Sequence, residues 1–229
     1  MVGHRGARAT HPENTVAAFE HAIRCGADSV ELDVVVTADG VLAVRHDPVR
    51  TTFAALPPTV PTLDQVLAIG AGNDIVFDIE AKRCGALTPE PHVYARMILD
   101  AVDRASMADR VLIRSFNHAV LRAAHELRPE IPLVALVAHR ALNWRRICGR
   151  ARTRCISPWF KLVTRAAVRR AHDAGIAVIP WTVNKPRDWA RLIAMGVDWI
   201  ITDDPAALVE YLRNQPVRRG QRTGTIRSS

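Results

Sequence analysis

Short apolar runs alternate with longer segments of helical periodicity along most of the chain. In the longer segments apolar residues recur three and four positions apart, as at Val16, Phe19, Ala22 and Ile23. Eight short runs are predicted strands: MVGHR, SVELDVVV, DIVFDIEAK, RVLIRSF, PLVALV, RCISPW, IAVIPWTVN and VDWIITD. Eight βα units in 229 residues predict an α/β fold of the TIM (β/α)8 barrel type. An open doubly wound sheet is the alternative, although no glycine-rich nucleotide loop follows any of the strands.

Turn and cap signals refine this pattern. TADG at residues 37–40 predicts a hairpin turn into a returning arm, VLAVRHD. Helices are expected to begin after Asn14 or Thr15, and at Asp204, where a capping aspartate precedes a proline. After the arm, a short proline-rich stretch leads directly to the next helix.

The second predicted strand carries two carboxylates in an apolar run. Side chains alternate between the two faces of a strand, so Glu31 and Asp33 share one face. The simplest interpretation is an edge strand with a solvated acidic face. The alternative is a buried pair, which requires a compensating cation or hydrogen bonds.

The third strand favours the second interpretation. Asp78, Glu80 and Lys82 also share one face, and polar residues of barrel strands cluster at the carboxyl-terminal mouth. The first strand ends in His4 and Arg5, and the returning arm ends in His46 and Asp47. Together these residues predict a site with oxygen ligands for a hard cation, Mg²⁺ or Ca²⁺, beside two histidines and cations for an anion.

These residues carry a resemblance to a known family. HRG at 4–6, PENT at 12–15, GADSVELDV at 26–34, HDP at 46–48, IEAK at 79–82, WTVN at 181–184 and GVDWIITDDP at 196–205 resemble, in order and spacing, the glycerophosphodiester phosphodiesterase family. The resemblance extends from the first residues to about Leu212. It implies a TIM barrel and metal-dependent hydrolysis of a glycerophosphodiester to sn-glycerol 3-phosphate and an alcohol.

The resemblance also implies roles for single residues. His4 and His46 correspond to the catalytic pair, and Glu31, Asp33 and Glu80 to the ligands of one divalent cation, Mg²⁺ or Ca²⁺. Arg5 would contact the phosphate and Lys82 would assist it. A metal and two histidines can neutralise a phosphodiester, deprotonate its nucleophile and protonate its leaving group. Either water or the glycerol's own hydroxyl can be the nucleophile, and the sequence does not assign the acid and the base.

Other residues near these motifs have competing interpretations. Trp181 either lines the substrate mouth or fills the top of the barrel. Glu13 and Asn14 fit a helix-start device, and Asp203 and Asp204 fit a helix cap. Asp78 is expected to support the metal ligands, and His118 to be an exposed helix-start residue.

The arm is where the sequence departs from larger family members, which carry a sizeable insertion over the glycerol end of the site. A minimal insertion leaves the mouth open to a bulky leaving group, so lysophospholipase D-type cleavage of lysophospholipids at a membrane is the alternative function. A catalytically silent phosphoester binder is a further alternative, which the intact set of motifs disfavours.

Charge is unevenly distributed behind the formal net value of +8. Residues 131–172 contain no acid and ten basic residues, interleaved with Trp144, Trp159 and Phe160, so the segment 140–170 is a candidate contact with anionic membranes. No nucleic-acid reader motif is present, and nucleic-acid binding is not expected.

Domain organisation and location follow from the same composition. We expect one barrel domain over residues 1–212 and a basic, disordered tail over 213–229. Cys25, Cys84, Cys148 and Cys155 have no disulfide or zinc-site spacing and fit buried thiols. The absence of a leader or a long apolar segment predicts a cytoplasmic protein, peripheral at the membrane if the basic segment binds there.

Overall fold

The computed structural model describes residues 1–139 and 143–215 and contains a sheet with nine strands. The strands are β1 (Val2–Gly3), β2 (Ser29–Val36), β3 (Leu42–Val44), β4 (Val76–Ala81), β5 (Val111–Ser115), β6 (Leu133–Val137), β7 (Cys155–Pro158), β8 (Ala177–Val178) and β9 (Ile201–Thr202). The α-helices are α1 (Val16–Arg24), α2 (Leu63–Leu67), α3 (Pro91–Arg104), α4 (His118–Leu127), α5 (Trp144–Ala151), α6 (Arg165–Asp173), α7 (Pro186–Met195) and α8 (Pro205–Arg213).

Eight of the strands are parallel and follow one another around a ring. The strand β1 pairs with both β2 and β9, and the order continues through β4, β5, β6 and β7 to β8. Backbone hydrogen bonds join the segment after β8 to β9: Ile201 N–H donates to Pro180 O at 3.1 Å, and Val183 N–H donates to Ile201 O at 2.8 Å. The sheet therefore closes on itself. The predicted TIM barrel is confirmed, and the open-sheet alternative is excluded.

A helix follows each parallel strand and covers the outside of the ring. Thr15 caps α1 by accepting from Ala18 N–H, and Asp204 caps α8 by accepting from Ala207 N–H, as the sequence predicts. Apolar strand residues such as Leu32 and Ile79 are fully buried against helix residues such as Phe19 and Ile98. Within the described residues, no helix combines the length and apolar character needed to cross a membrane.

The predicted hairpin is confirmed, because β3 runs antiparallel to β2 with Val34 opposite Val44. From β3 the chain reaches α2 through a short loop held by a bridge between Ala43 and Thr62. The capping box of Thr62 and Gln65 begins α2. The insertion after the arm is thus minimal.

Several strands are shorter than the apolar runs that predict them. The strand β1 ends at Gly3, so His4 and Arg5 lie in the turn that follows, and β8 ends at Val178, before Trp181. His4, Arg5 and Trp181 therefore belong to the loops at the carboxyl ends of strands, whereas Glu31, Asp33 and Glu80 lie within β2 and β4. The tail from residue 216 and Arg140 lie outside the described residues, so the division at residue 212 stays a prediction.

The interior of the barrel contains a buried ion pair between β4 and β5. Asp78 and Arg114 are each 1% exposed, and Arg114 holds the carboxylate through two nitrogens. Its third nitrogen, Nη1, donates to Ser157 Oγ at 3.5 Å. Burial raises the pKa of Asp78 to about 6, against the opposing effect of Arg114. Asp78 thus partners Arg114 below the acids at the mouth.

Removing Arg114 should destabilise the barrel strongly, because Asp78 would be left as an unpaired buried charge. We expect Arg114→Met to lower the free energy of unfolding by about 3–5 kcal/mol in urea titrations. The double variant Asp78→Leu/Arg114→Met serves as the control and should recover most of this loss. A double variant as unstable as Arg114→Met would show that the loss comes from packing and not from charge.

The defect of Arg114→Met should also depend on pH. An unfolded aspartate titrates near about 3.9, and a folded pKa above that value means that the folded state binds more protons. The stability of the variant should therefore fall as pH rises from about 4 through the raised pKa of Asp78. If the stability loss of Arg114→Met were the same at about pH 4 and above the raised pKa of Asp78, the unpaired charge of Asp78 would not be its cause.

Candidate active site

Three buried carboxylates meet at the mouth of the barrel. In the register of β2 and β4, Asp33 lies beside Glu80, and Glu31 lies beside Asp78 one layer deeper. Glu31, Asp33 and Glu80 are 2%, 1% and 7% exposed, and one oxygen from each lies within 4.8 Å of the others. An edge strand with a solvated acidic face is therefore excluded.

Two cations from neighbouring elements compensate this cluster. Arg5 Nε lies 2.9 Å from Asp33 Oδ2, and its backbone N–H donates to Glu31 Oε2 at 3.0 Å. Lys82 Nζ lies 3.0 Å from Glu80 Oε1 and 3.4 Å from Asp33 Oδ1. The structure thus brings Arg5 and Lys82 together at the acids, where the sequence expects them.

Asn14 supplies a neutral hydrogen-bond partner from the turn before α1. Its Nδ2 donates to Asp33 Oδ2 at 2.9 Å, and its Oδ1 accepts from the backbone N–H of Asp33 at 3.2 Å. Asn14 is buried, with a φ of 58°, in the left-handed region that asparagine tolerates better than most residues. Asn14 is therefore part of the site, and the interpretation of PENT as only a helix-start device is incomplete.

The same surroundings move the pKa values of two neighbouring acids in opposite directions. Burial, together with the charges of Asp33 and Glu80, raises the pKa of Glu31 well above its usual value. Burial alone would also raise the pKa of Asp33, but Lys82, Arg5 and the hydrogen bond from Asn14 outweigh it and lower that pKa. Glu31 is thus the acid that most lacks positive charge, as expected where a further cation belongs.

The donor set fits a divalent cation. It consists of carboxylate oxygens alone, which are the ligands that Mg²⁺ and Ca²⁺ prefer. Asp33 Oδ1 is buried and accepts no hydrogen bond from any described residue, and Lys82 Nζ faces it at 3.4 Å. A buried carboxylate oxygen without a hydrogen bond, beside a glutamate whose pKa is raised by burial and by neighbouring acids, is the environment that a bound metal ion would complete.

His4 lies at the edge of this cluster and is held by an aspartate from the last strand. Its Nδ1 lies 2.6 Å from Asp203 Oδ1, and the two side chains are 13% and 16% exposed. Asn184 Nδ2 donates to the other oxygen of Asp203 at 2.6 Å. Burial alone would raise the pKa of Asp203, but the hydrogen bond from His4 helps to outweigh it and the pKa is lowered. The carboxylate is thereby kept charged.

His46 follows β3 and is more exposed than His4. Its Nδ1 lies 2.9 Å from Asp47 Oδ1, and its side chain is 38% exposed. The backbone N–H of Arg45 donates to Asp33 O, which fixes the arm beside β2. Both predicted histidines thus pair Nδ1 with an aspartate, and no described residue bonds Nε2 of either ring.

Trp181 lies at the rim of the mouth. Its indole Nε1 donates to Ser157 O at 2.9 Å, and its ring packs edge-on against Phe116, with the centroids 5.7 Å apart. Phe116 is 43% exposed. Trp181 also packs against a buried apolar cluster that includes Val2, Leu112 and Ile179, so its ring joins this cluster to the exposed Phe116.

Three site residues went unrecognised in the sequence. Asp203 binds His4, whereas Asp204 alone caps α8, so the assignment of both to a cap is wrong for Asp203. Glu13 binds Arg5 Nη1 at 2.8 Å, and Asn14 binds Asp33. The available signal was the position of PENT and DDP directly after strand ends or turns. His118 is also half-buried and bonds Leu136 O, so its predicted exposure is wrong.

Comparison with known proteins finds the family that the sequence motifs resemble. A profile of the Glycerophosphoryl diester phosphodiesterase family matches residues 4–56 and 48–207. A glycerophosphodiester phosphodiesterase from Caldanaerobacter subterraneus is 31% identical over 241 aligned residues, which cover 93% of this chain and 97% of the relative.

Solved structures share the fold. A glycerophosphodiester phosphodiesterase from Parabacteroides distasonis superposes with a TM-score of 0.79 at 26% identity, over 93% of this chain and 97% of that one. A phosphodiesterase from Oleispira antarctica, solved with the product sn-glycerol-3-phosphate, has a TM-score of 0.86 at 22% identity, over 93% and 96% of the two chains. The barrel described above is thus the architecture of these proteins.

Substitutions at Asn14 should separate its backbone role from its side-chain role. Asn14→Gly keeps the left-handed backbone and loses the bonds to Asp33, at a cost of about 1–3 kcal/mol in the free energy of unfolding. Asn14→Ala should cost about 1–2 kcal/mol more, because alanine is strained at this φ. Urea titrations of the two variants measure both effects.

Asn73 is the matched control, because its amide also bonds backbone groups, Ile69 O and Ile75 N–H, whereas its φ is not positive. There, glycine should be no more stable than alanine. The same order of the two variants at both positions would contradict the assigned strain at Asn14.

Proposed function

This chain belongs to the glycerophosphoryl diester phosphodiesterase family, and on that premise we propose that it hydrolyses glycerophosphodiesters to sn-glycerol 3-phosphate and an alcohol with the help of one divalent cation. The observation that carries the proposal is the buried cluster of Glu31, Asp33 and Glu80 beside Arg5 and Lys82. Such a cluster of opposite charges is suited to a metal ion and an anionic substrate together.

Glu31, Asp33 and Glu80 would hold the cation, which when bound neutralises charge on the phosphodiester and polarises its phosphorus. Arg5 presents its guanidinium at the same edge and is already bound to Glu13 and Asp33, so it is fixed before a phosphate arrives. Lys82 bridges Asp33 and Glu80 and keeps its proton. Burial alone would lower the pKa of Lys82, but these two carboxylates raise it.

His4 and His46 would carry the protons. A carboxylate can only accept, so each Nδ1 bears the hydrogen that its aspartate binds, and each neutral ring presents the lone pair of Nε2. One ring accepts a proton from the nucleophile, and the other, protonated, donates to the leaving alkoxide. Asp203 and Asp47 orient the two rings, and Asp203 is the more buried of the two.

Trp181 and Phe116 would form one wall of the substrate mouth. Their edge-on packing fixes the indole, and Phe116 remains exposed. The short arm after β3 leaves the rest of the mouth open. The wall favours contact with carbon atoms of the glycerol or of the leaving alcohol.

Activity should require both the metal and its ligands. We expect release of sn-glycerol 3-phosphate from glycerophosphoglycerol and glycerophosphocholine with Mg²⁺ or Ca²⁺, and none in buffer containing EDTA. Glu31→Gln should lower kcat/KM by at least about 10²-fold, because the cation loses a negatively charged carboxylate ligand. His4→Asn and His46→Asn should each lower kcat by at least about 10²-fold.

Glu20→Gln, which changes an exposed carboxylate on α1, is the control and should retain full activity. Isothermal titration of Mg²⁺ or Ca²⁺ into the wild type and Glu31→Gln reads out binding independently of turnover. Turnover of both diesters in EDTA, or full activity of Glu31→Gln, would contradict the proposed use of the cation. Metal binding without any turnover would favour a catalytically silent binder.

The exposed apolar wall of Phe116 and Trp181 supports the second candidate, lysophospholipase D-type cleavage at a membrane. In the described part of the basic segment, Arg145, Arg146 and Arg150 are exposed on α5. Choline release from lysophosphatidylcholine, without activity on either small diester, would favour this candidate over the main proposal.

Membrane contact through α5 predicts binding to anionic vesicles. Vesicles that contain phosphatidylserine should pellet the wild-type protein at low salt, and Arg145→Ala/Arg146→Ala/Arg150→Ala should weaken this by at least about tenfold, at about 1 kcal/mol per arginine. Arg83→Ala/Arg96→Ala/Arg122→Ala removes equal charge from exposed positions elsewhere and should bind like the wild type. Binding that is insensitive to salt, or equal loss in both triple variants, would contradict a specific contact through α5.

A further inference from the structure

We propose that a cationic cavity beside His4 binds the leaving-alcohol side of the substrate and selects glycerophosphodiesters whose leaving group carries a second anionic group. This inference rests on the proposed function and adds the chemical class of the substrate. The cavity has a volume of about 570 Å³ and lies between the loops that follow β7 and β8. A larger groove of about 780 Å³ lies between α5 and α6 on the outside of the barrel, and none of the candidate site residues lines it.

Hydrogen bonds connect the cavity to the catalytic edge of the mouth. Asn184 lines the cavity, and its Nδ2 donates to Asp203 Oδ2 at 2.6 Å. The other oxygen of Asp203 lies 2.6 Å from Nδ1 of His4. Asp203 therefore joins the cavity to His4 through two hydrogen bonds. In the proposed complex, the leaving group lies in this cavity while the phosphate to which it is bonded lies at Glu31, Asp33 and Glu80.

The charge of the cavity is strongly positive. Four cations and one carboxylate line it, which gives a net charge of +3; the cations are Lys161, Lys185, Arg187 and Arg191. The carboxylate, Asp188, lies 3.7 Å from Arg191 and 3.8 Å from Arg187. Lys161 and Lys185 form no ion pair with any described carboxylate, so their charges are available to a ligand.

Aromatic rings lie beside two of these cations. Lys161 Nζ lies 5.1 Å from the centroid of the Trp159 ring, and Arg191 lies over the ring of Phe160. Arg191 also donates to Val163 O at 3.3 Å and Phe160 O at 3.2 Å, which fixes its guanidinium. Low-dielectric walls strengthen the field of the cations. A cationic leaving group such as choline is disfavoured there, and an anionic one is favoured.

Two matched substrates test this selectivity. Glycerophosphoglycerol has a neutral leaving group, glycerol. In 1,3-bis(glycerophospho)glycerol the leaving group is glycerophosphoglycerol, whose phosphodiester is anionic. In both, one water is consumed, the bond between phosphorus and the leaving oxygen breaks, and sn-glycerol 3-phosphate is released. Initial rates give kcat/KM, which is divided by two for the second substrate because it has two equivalent scissile bonds.

At low salt we expect the wild-type kcat/KM per bond to be about tenfold higher for 1,3-bis(glycerophospho)glycerol, whose leaving group is anionic. A cleft of one sign concentrates the opposite charge by at least that factor. The preference should shrink at about 0.5 M NaCl, where screening is strong. In Lys161→Gln/Lys185→Gln the ratio should fall to within about twofold of one. The control Arg96→Gln/Arg122→Gln removes equal charge from the opposite side of the barrel and should keep the wild-type ratio.

Each outcome has a separate meaning. A wild-type ratio near one would overturn the inference while leaving the proposed function intact. An equal fall in both double variants would also overturn it, because the preference would then come from the overall positive charge of the protein. Failure to release sn-glycerol 3-phosphate from either substrate would instead overturn the proposed function.

Discussion

The burial of like charges is the constraint on which this structure depends. Glu31, Asp33, Asp78 and Glu80 occupy neighbouring positions on β2 and β4, and each is at most 7% exposed. Such carboxylates are unstable together unless cations or hydrogen-bond donors reach them. Arg114 reaches Asp78, and Arg5, Lys82 and Asn14 reach the acids above it. The negative charge that these groups leave uncompensated is concentrated at Glu31. Burial and the charges of Asp33 and Glu80 raise the pKa of Glu31.

The barrel stabilises this arrangement because it fixes the register of β2 and β4. Parallel pairing sets Asp33 beside Glu80 and Glu31 beside Asp78, and hydrogen bonds between the segment after β8 and β9 close the ring around them. The two layers then differ in chemistry. In the deeper layer Asp78 is neutralised by Arg114 of the same sheet, whereas Glu31 accepts the backbone N–H of Arg5. In the upper layer Asp33 and Glu80 pair with Lys82, which follows β4, so Glu31 and the upper acids leave room for a ligand.

Alternation along strands made the acids and Lys82 predictable, because side chains two residues apart share a face whatever the tertiary structure. Their convergence with His4 was predictable because parallel strands end at one mouth, whereas His46 follows the antiparallel β3 and its role was implied by the family resemblance. The partnership of His4 with Asp203 was not, since it joins residues 199 positions apart, and the next residue, Asp204, offers a local helix-cap explanation. Asn14 was missed for the same reason: a left-handed asparagine before a helix has a sufficient local role, and its bonds to Asp33 become visible only when β2 is in place.

The unequal surroundings of the two histidines follow from the same topology. His4 lies between β1 and β9, so Asp203 and Asn184 from the last two units can enclose it, and its side chain is 13% exposed. His46 follows the hairpin arm with its side chain 38% exposed, and its partner Asp47 is 74% exposed. The enclosed side also carries the aromatic rings and cations of the loops after β7 and β8. Because the arm is short, those loops offer the larger set of fixed side chains to whatever alcohol the phosphate carries, and differences in specificity among such barrels are expected to arise there.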